Sequence, residues 1–385
     1  MTDRFVYLDN AATSWPKPPE VAVAMERFLR DSAGNPGRAG HRLALAAQIP
    51  IDDCRAALAR LLGAPDASRV AFTLNASDAL NMALKGVLRD GDRVVTSRME
   101  HNSVNRPLAA LAAAGRIAVD VAENDGEGRI DPDSVRRLLR PGGTRLLALT
   151  WASNAFGTLQ PVAEFAAAAR EAGALLLLDA SQAVGAVPLD LAGCGADLVA
   201  FPGHKGLMGP TGTGALWVRG GLDVAPWREG GTGGDSTDPF QPREMPHRLE
   251  GGTPNTVGIA GLLAGVRWVA ARGVAEIRRH ERDLTARIIG ALSAVPGVAI
   301  HGPRDAEARI AAVSFTIPGH PPQEVAAALD AAFGVAVRPG LHCAPHAHRS
   351  LGTFPDGTVR ASPGPFSTEA DVDALAAAVG KVAGT

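Results

Sequence analysis

Two side chains that could form a covalent catalyst follow apolar runs in the middle of the chain. Asp179 ends the run at 175–178. Lys205 follows a second run, residues 197–201, in a Pro-Gly-His-Lys turn. Apolar runs of this length are typical of strands buried on both faces of a sheet. A lysine amine can condense with an aldehyde, and a carboxylate can keep a pyridine nitrogen protonated. The pair therefore suits pyridoxal 5'-phosphate, although each residue alone could equally be a helix N-cap or a solvated lysine.

Strand and helix patterns alternate between residues 70 and 218, which explains how distant polar residues could meet. This alternation favours a largely parallel sheet, whose carboxyl ends share one edge. Candidates at such ends are Ser77, His101, Asn154, Asp179 and Lys205. The turn at 75–78 begins a helix, where free backbone N–H groups can bind an anion. Ser77 as an N-cap, His101 as a loop histidine and Asn154 as a turn residue are the plainer alternatives.

Three cysteines lie far apart and form no Cys-x-x-Cys pair: Cys54, Cys194 and Cys343. This spacing argues against a structural zinc site or a disulfide framework and leaves room for one reactive thiol. Cys343 lies on a loop among prolines and histidines, whereas free cysteine is commonly buried and inert. His342, His346 and His348 have no carboxylate or second cysteine at suitable spacing, so we predict no metal site.

Composition narrows the function classes. The chain has 385 residues, a formal net charge of -2 and 46% hydrophobic residues, which suits a globular protein of one or two domains. It has no lysine or arginine block, which argues against nucleic acid as the main partner. Charged residues interrupt the opening, and no run reaches the ~18 apolar residues of a membrane helix. We expect a cytoplasmic protein without a membrane partner.

Six short motifs together resemble one family. They are Y-L-D-N-A-A-T at 7–13, E-H at 100–101, D-A-S-Q at 179–182, F-P-G-H-K at 201–205, E-G-G-T-P-N at 250–255 and R-P-G-L-H-C at 338–343. In order and approximate spacing they resemble the class V aminotransferase family, and specifically its cysteine desulfurases of group II, which are related to selenocysteine lyases. The resemblance covers about residues 5 to 380.

The resemblance implies an α/β protein of the fold-type I class of pyridoxal phosphate enzymes. Such a protein has a mostly parallel central sheet with helices on both faces, plus a smaller α+β C-terminal domain. We place the large cofactor-binding domain at 14–257 and the small domain at 1–13 and 258–385, because a glycine-rich stretch ends near residue 258.

The resemblance also implies which residues bind the cofactor. Lys205 would bond covalently to it, Asp179 would contact the ring nitrogen and His101 would stack on the ring and take part in proton transfer. The remaining cofactor contacts would come from Ala76, Ser77, Asn154, Gln182, His204 and Thr253. Of these, Thr253 would reach the cofactor of the neighbouring subunit, which implies a homodimer with shared active sites.

For the reaction, the resemblance implies that Cys343 is a nucleophile. L-cysteine would be converted to L-alanine while its sulfur forms a persulfide on Cys343, for transfer to an acceptor protein. Arg360 would bind the substrate carboxylate, because a guanidinium suits bidentate contact with a carboxylate. Ala12, Asn154 and Arg338 would complete the substrate site. We expect His342 or Arg338 to favour an ionised thiol.

Three alternatives stay open: a selenocysteine lyase, a class V aminotransferase or lyase acting on another amino acid, and a non-catalytic binding protein of the same fold. Two prolines depart from expectation. Pro202 stands where the family usually has serine or threonine, so one cofactor phosphate contact is missing or replaced. Pro50 lies inside a helical pattern, where we expect a kink or a break.

Overall fold

The structure is a computed structural model that describes residues 5–37, 40–233 and 237–384. The ends of the predicted small domain, residues 1–4 and 385, lie outside the described residues. The described strands are β1 (Val6–Tyr7), β2 (Val70–Thr73), β3 (Asp92–Ser97), β4 (Ile117–Ala122), β5 (Leu146–Thr150), β6 (Leu175–Asp179), β7 (Leu198–Pro202), β8 (Gly214–Val218), β9 (Ala299–His301), β10 (Val313–Thr316), β11 (Val335–Ala336), β12 (Arg338–Gly340) and β13 (Thr358–Ala361).

The helices of the described residues alternate with these strands over most of the chain. They are α1 (Pro19–Asp31), α2 (Arg42–Leu61), α3 (Ala76–Val87), α4 (Asn102–Ala113), α5 (Pro132–Leu138), α6 (Val162–Ala172), α7 (Thr256–Arg272), α8 (Val274–Ser293), α9 (Pro322–Phe333), α10 (Pro345–Ser350) and α11 (Glu369–Val382).

A seven-stranded sheet forms the centre of the molecule, in the order β2-β8-β7-β6-β5-β3-β4. Its pairs are parallel except at β8, which is antiparallel to both β7 and β2. The prediction of a mostly parallel sheet is confirmed. Because six strands point the same way, their carboxyl ends lie at one edge, and the residues that follow them can meet there.

Both faces of this sheet are buried, as the unbroken apolar runs predict. Along β6, Leu176 and Leu178 pack into a core on one face with α2, α6 and α7. Leu177, between them, packs into a core on the other face with α3 and α4. Helices therefore cover both faces, which confirms the predicted architecture.

A second, smaller sheet is antiparallel, in the order β12-β13-β10-β9. Its core lies between the sheet and helices α8, α9 and α11. The N-terminal strand β1 joins this part of the molecule by pairing in parallel with β11. An α+β unit of this kind is what the resemblance implies for the C-terminal part.

Helix α7 bears on the predicted boundary at residue 258. Its apolar residues Ile259, Leu262 and Val266 belong to the core of the seven-stranded sheet, and the helix packs against α1 and α2. We therefore propose that α7 belongs to the large unit and that the small unit begins with α8.

The break expected at Pro50 is absent, because α2 runs from Arg42 to Leu61 without interruption. Ile51, Cys54 and Leu58 on this helix are buried in the main core. Their burial outweighs the hydrogen bond that proline cannot donate. Within the described residues, no single helix has the length and apolar character to cross a bilayer. One pair of consecutive helices, α7 and α8, meets those criteria jointly with a bend of 79°.

Candidate active site

A cavity of about 210 Å³ lies at the carboxyl-end edge of the central sheet. Eleven of the predicted site residues line it: Ala12, Ala76, Ser77, His101, Asn154, Asp179, Gln182, His204, Lys205, Arg338 and Arg360. Two predicted residues, Cys343 and Thr253, are not part of its lining. The sheet topology therefore gathers residues that are up to 348 positions apart in the chain, from Ala12 to Arg360.

The carboxylate and the lysine come from adjacent strands. Asp179 is the last residue of β6, and its Oδ1 accepts a hydrogen bond of 2.9 Å from the backbone N–H of Ser181. Lys205 follows β7, which pairs with β6. Burial lowers the pKa of Lys205 to about 8, although the negative charge of Asp179 opposes this shift. A neutral, nucleophilic amine is therefore accessible near physiological pH.

The N-terminal segment holds the turn that carries the lysine. The backbone carbonyl of His204 accepts hydrogen bonds from Ser14 N at 3.1 Å, Thr13 Oγ1 at 3.1 Å and Lys17 Nζ at 3.3 Å. Gln182 Nε2 donates to the carbonyl of Ala11 at 2.9 Å. The motif at 7–13 therefore closes one side of the cavity and brings Ala12 to it.

One end of the cavity is suited to an anion. Asn75 is the N-cap of α3, since its Oδ1 accepts from Asp78 N at 2.9 Å, so Ser77 is not the N-cap. The Ser77 hydroxyl lies 2.6 Å from that of Ser103. His204 Nδ1 is buried without a hydrogen-bond partner. Burial and the charges of Lys205 and Lys17 lower the pKa of His204 to about 4, so its ring is neutral.

His101 stands at the beginning of α4 with its ring held in one orientation. Its Nδ1 accepts from Ser103 N at 3.0 Å, and Ser103 Oγ lies 2.9 Å from the same nitrogen. Burial lowers the pKa of His101, while the charge of Asp179 acts in the opposite direction. The neutral ring then carries its proton on Nε2.

Arg360 is buried beside the cavity and is already paired in part. Its Nη2 lies 2.8 Å from Asp9 Oδ1, and its Nη1 donates to the carbonyl of Asn154 at 2.7 Å. Burial lowers the pKa of Arg360, and the charge of Asp9 opposes that effect. Its Nε is buried with no partner, so donors remain for a carboxylate ligand.

Cys343 is exposed and lies on the loop between β12 and α10, residues 341–344, which we name the cysteine loop. Its Sγ is 3.8 Å from Arg338 Nη2, so Arg338 connects the thiol to the cavity that the same arginine lines. Asn154 Nδ2 donates to the carbonyl of His342 at 2.5 Å, which ties this loop to the end of β5. The cysteine loop thus forms a wall of the site.

The geometry does not allow His342 to favour the ionised form of the Cys343 thiol. His342 is buried, its Nε2 lies 3.0 Å from the carbonyl of Arg338, and its Nδ1 lies 3.3 Å from His348 Nε2. Burial and the charge of Arg360 hold the pKa of His342 well below its usual value. A neutral ring with both nitrogens engaged supplies no positive charge to Cys343, which leaves Arg338 as the cation in contact with the sulfur.

Thr253 is exposed and lies away from the cavity of its own chain. The segment that carries it is anchored through Glu250, which receives two hydrogen bonds from Arg55 at 2.8 and 3.0 Å and one from Phe72 N at 2.6 Å. The role predicted for Thr253 in a neighbouring subunit stays a prediction.

The polar residues at the site that were not predicted include Asp9, Asn75 and Ser103. Asp9 lies within the motif at 7–13. Its negative charge could have indicated a buried cation beside it, which the structure shows to be Arg360. Ser103 follows His101 by two residues at a helix start, where a side chain can turn back to the histidine. Asn75 had the ordinary N-cap signature of an asparagine before a helix.

These features fit pyridoxal phosphate. The start of α3, the two serine hydroxyls and the unpartnered His204 Nδ1 suit its phosphate. The Asp179 carboxylate suits the ring nitrogen, and the Lys205 amine suits the aldehyde. Pro202 also lines the cavity, where it provides neither a hydroxyl nor an N–H.

Comparisons of the sequence with a family model and with known proteins point to the same family. The family model described as aminotransferase class-V matches residues 6–375. A probable cysteine desulfurase of Methanothermobacter thermautotrophicus is 35% identical over 386 aligned positions, which cover 98% of this chain and 95% of the relative. A probable cysteine desulfurase of Streptomyces coelicolor is 36% identical, with 97% of this chain and 90% of the relative covered.

Solved structures agree with these sequence matches. The apo structure of a cysteine desulfurase from Thermococcus onnurineus superposes with a TM-score of 0.93 at 34% identity, and the match covers 99% of this chain and 95% of that one. The cysteine desulfurase CsdA from Escherichia coli gives a TM-score of 0.88 at 31% identity, with 99% and 95% covered. The chain therefore belongs to the class V aminotransferase family, whose members depend on pyridoxal phosphate, and it resembles the cysteine desulfurases of that family over nearly its whole length.

Proposed function

We propose that this protein is a pyridoxal phosphate-dependent cysteine desulfurase, which converts L-cysteine to L-alanine and leaves a persulfide on Cys343. One observation carries the proposal. A single guanidinium, that of Arg338, lines the cavity of Lys205 and Asp179 and also lies 3.8 Å from the exposed Cys343 thiol. An amine site for the cofactor and a thiol for sulfur are therefore adjacent.

In this proposal, Asp179, Gln182 and His101 hold the ring of the cofactor, and Ala76, Ser77 and His204 hold its phosphate. Asn154 contributes its side-chain oxygen, since its amide nitrogen already donates to His342. Bound pyridoxal phosphate supplies an electron-withdrawing ring that stabilises negative charge at the substrate carbon next to it.

Lys205 and His101 are the proton carriers of the proposed site. The amine of Lys205, with its pKa lowered to about 8, can take up and return a proton at Nζ near neutral pH. The neutral His101 ring presents its N–H at Nε2, because Nδ1 accepts from Ser103. Its fixed orientation favours stacking and proton transfer at one defined atom.

Two arginines bind the substrate carboxylate in this proposal. Arg360 has an unpartnered Nε and is fixed by Asp9, so little side-chain freedom is lost when a carboxylate binds. Arg338 lies between this position and Cys343. Ala12 forms the facing wall through its backbone.

The sulfur step is a nucleophilic attack by the Cys343 thiolate on the sulfur of the substrate. A new S–S bond forms as the bond between that sulfur and its carbon breaks. The electron pair stays with the carbon, which takes up a proton to give alanine. The guanidinium of Arg338 neutralises the thiolate before the attack.

The test measures alanine release from L-cysteine in the presence of a thiol reductant, with L-selenocysteine as a parallel substrate. The proposal predicts alanine from L-cysteine that disappears in Cys343→Ala. If Cys343→Ala retained the wild-type rate on L-cysteine, a class V reaction without a nucleophilic thiol would be the better account. If turnover were confined to L-selenocysteine, the protein would be a selenocysteine lyase.

We also propose that the enzyme is a homodimer in which Thr253 of one subunit contacts the cofactor phosphate of the other. The exposure of Thr253 and the anchored segment around Glu250 support this arrangement. In a mixed dimer of Thr253→Ala subunits with Lys205→Ala subunits, cofactor affinity at the intact lysine site should match the wild type, because the Lys205→Ala subunit supplies that site with an intact Thr253. A lowered affinity at the intact lysine site would contradict the arrangement.

The proposed sulfur acceptor is a protein that docks at the exposed Cys343, and the proposed compartment is the cytoplasm. The exposed thiol and the two other free cysteines suit a reducing environment. Because the cysteine loop is short, an acceptor must come close to it. Rapid transfer from the persulfide to any small thiol, without a partner, would contradict a dedicated acceptor.

A further inference from the structure

Behind the cysteine loop lies a second histidine that the proposed reaction does not use. His342 and His348 are 3% and 0% exposed, while the neighbouring Cys343 is exposed. His342 and Cys343 have backbone φ angles of 48° and 58°. Such left-handed conformations are unfavourable for residues with a side chain and persist only when surrounding contacts hold them.

The donor and acceptor of each of these hydrogen bonds can be assigned, because the role of one group, the carbonyl of Arg338, is known. The carbonyl of Arg338 can only accept, so the His342 Nε2 atom, 3.0 Å away, must carry the proton. The neutral His342 ring then offers Nδ1 as an acceptor. The His348 Nε2 atom, 3.3 Å from it, must therefore be the donor.

The same reasoning extends to the next residue. Because His348 carries its proton on Nε2, its Nδ1 accepts from the Thr353 hydroxyl at 2.8 Å. The result is a chain of three hydrogen bonds in one direction, from Thr353 through His348 and His342 to the carbonyl of Arg338. Burial lowers the pKa of His348 to about 4 and that of His342 well below its usual value, so both rings are neutral as the chain requires.

This chain adds to two backbone anchors of the cysteine loop. Asn154 Nδ2 donates to the carbonyl of His342 at 2.5 Å, and Asn102 N donates to that of Cys343 at 2.8 Å. The histidine chain holds the ring of His342 and the backbone of Arg338 together. It therefore fixes both partners of the 3.8 Å contact between Cys343 Sγ and Arg338 Nη2.

We propose that His348 is a positioning residue for the nucleophile: through His342 it holds the left-handed turn that keeps the Cys343 sulfur against the Arg338 guanidinium. The role of the thiol as nucleophile rests on the proposed function. His348 is not itself part of the cavity lining; it acts through the hydrogen bond that it donates to His342, which does line the cavity.

A merely structural role is the competing explanation, because the ring of His348 also packs against Phe156 at 4.9 Å between centroids. Two variants separate the roles. His348→Leu keeps an apolar side chain in place but donates nothing. His348→Gln offers an amide N–H that can reach His342 Nδ1. His301→Leu is the control, because His301 is a half-buried histidine that also lies against Phe156, at 6.5 Å between centroids, and has one bond to a threonine hydroxyl, at 3.0 Å to Thr316.

The measurement is the rate of alkylation of Cys343 by iodoacetamide, followed by peptide mass spectrometry on the holoenzyme without substrate, alongside kcat and KM for L-cysteine. We expect His348→Leu to slow alkylation and kcat by roughly five- to tenfold, the effect of one lost hydrogen bond. KM should change less, and His348→Gln should recover most of the rate. His301→Leu should alkylate like the wild type.

Two results would overturn the proposal. One is a folded His348→Leu protein whose Cys343 alkylates at the wild-type rate with unchanged kcat. The other is equal slowing in His348→Leu and His301→Leu, which would mean a general loss of packing. If His348→Leu does not fold, Thr353→Val decides the matter: a slowing of about twofold supports the chain, and a wild-type rate contradicts it. Alkylation needs no turnover, so the result is separate from whether the enzyme desulfurates L-cysteine.

Discussion

The two reactive groups of the site are held in different ways. Lys205 and Asp179 follow neighbouring parallel strands, and backbone pairing such as Asp179 with Ala200 sets their relative position. Cys343 lies on an irregular loop whose left-handed backbone is held by side-chain hydrogen bonds from Asn154 and His342. The sheet therefore positions the groups of the amine chemistry. The thiol is positioned by a separate loop, so a substitution can disturb the thiol without disturbing the amine.

The strongest way to test this difference is to remove each reactive group in turn. Lys205→Ala should lose the visible absorption of the cofactor bound to lysine and at least roughly 10³-fold in activity. Cys343→Ala should lose L-cysteine desulfuration to a similar extent and keep the absorption band, because the sheet edge is intact. Cys194→Ala, a half-buried cysteine away from the cavity, is the control. Loss of the absorption band in Cys343→Ala would contradict the view that the sheet edge and the cysteine loop are held independently.

Replacing Arg360, the buried arginine that lines the cavity, should have a large effect on stability. Arg360→Met leaves Asp9 without its partner and the Asn154 carbonyl without a donor, which should cost about 3 kcal/mol in the free energy of unfolding. Urea denaturation measures the loss, and KM for L-cysteine should rise in parallel. Arg287→Met is the matched control, since Arg287 pairs with Glu369 and Asp373 at the surface, where solvent screening leaves an ion pair little effect on stability. Equal losses would mean that burial does not distinguish the two arginines.

A buried acid next to His101, Glu100, should make stability depend on pH. Burial raises the pKa of Glu100 from its ordinary 4.5 to about 8. Between these values the unfolded chain is ionised at this residue and the folded chain is not, so stability falls as the pH rises. Glu100→Gln removes this loss and should be more stable than the wild type by about 1–3 kcal/mol at pH 8.

The gain in Glu100→Gln should vanish at about pH 3, well below the ordinary pKa of 4.5, where both states of the wild type keep the proton. Unfolding midpoints at the two pH values check this. Glu281, a buried acid on α8 whose pKa is also raised to about 8, provides a comparison outside the strand ends, and Glu281→Gln should behave alike. A gain that is the same at both pH values would point to packing rather than ionisation.

The smallest effect concerns the reactivity profile of the lysine. In protein freed of cofactor, the rate at which Lys205 reacts with acetic anhydride should rise between pH 7 and 9 with a midpoint near 8, because only the neutral amine reacts. Mass spectrometry of the Lys205 peptide, with the Lys381 peptide as reference, gives the profile. A midpoint near 10 would mean that burial does not affect this amine.

The sheet and the lysine side could be predicted from the sequence because regular structure has a periodic signal. Apolar runs located β6 and β7, and their ends located Asp179 and Lys205. The same reasoning brought Ser77, His101 and Asn154 to the edge of one sheet. These predictions required only that parallel strands end together.

The cysteine side could not be derived in the same way. Cys343 was identified through a motif, and nothing in the spacing of His342 and His348 shows that one ring donates to the other. That contact exists because α10 folds back behind the loop. Of the two residues expected to favour an ionised thiol, His342 is buried with a neutral ring, and burial of that kind is not visible in the sequence; Arg338 is the one in contact with the sulfur. Likewise, the continuous α2 at Pro50 depends on tertiary packing, which local propensity does not include.

The most direct measurement uses L-cysteine labelled with sulfur-34 in a single turnover without reductant. The proposed reaction predicts one alanine per active site and the heavy sulfur as a persulfide on the Cys343 peptide, with none on the Cys54 or Cys194 peptides. Alanine without labelled Cys343, or labelled sulfide released directly in Cys343→Ala at the wild-type rate, would contradict it.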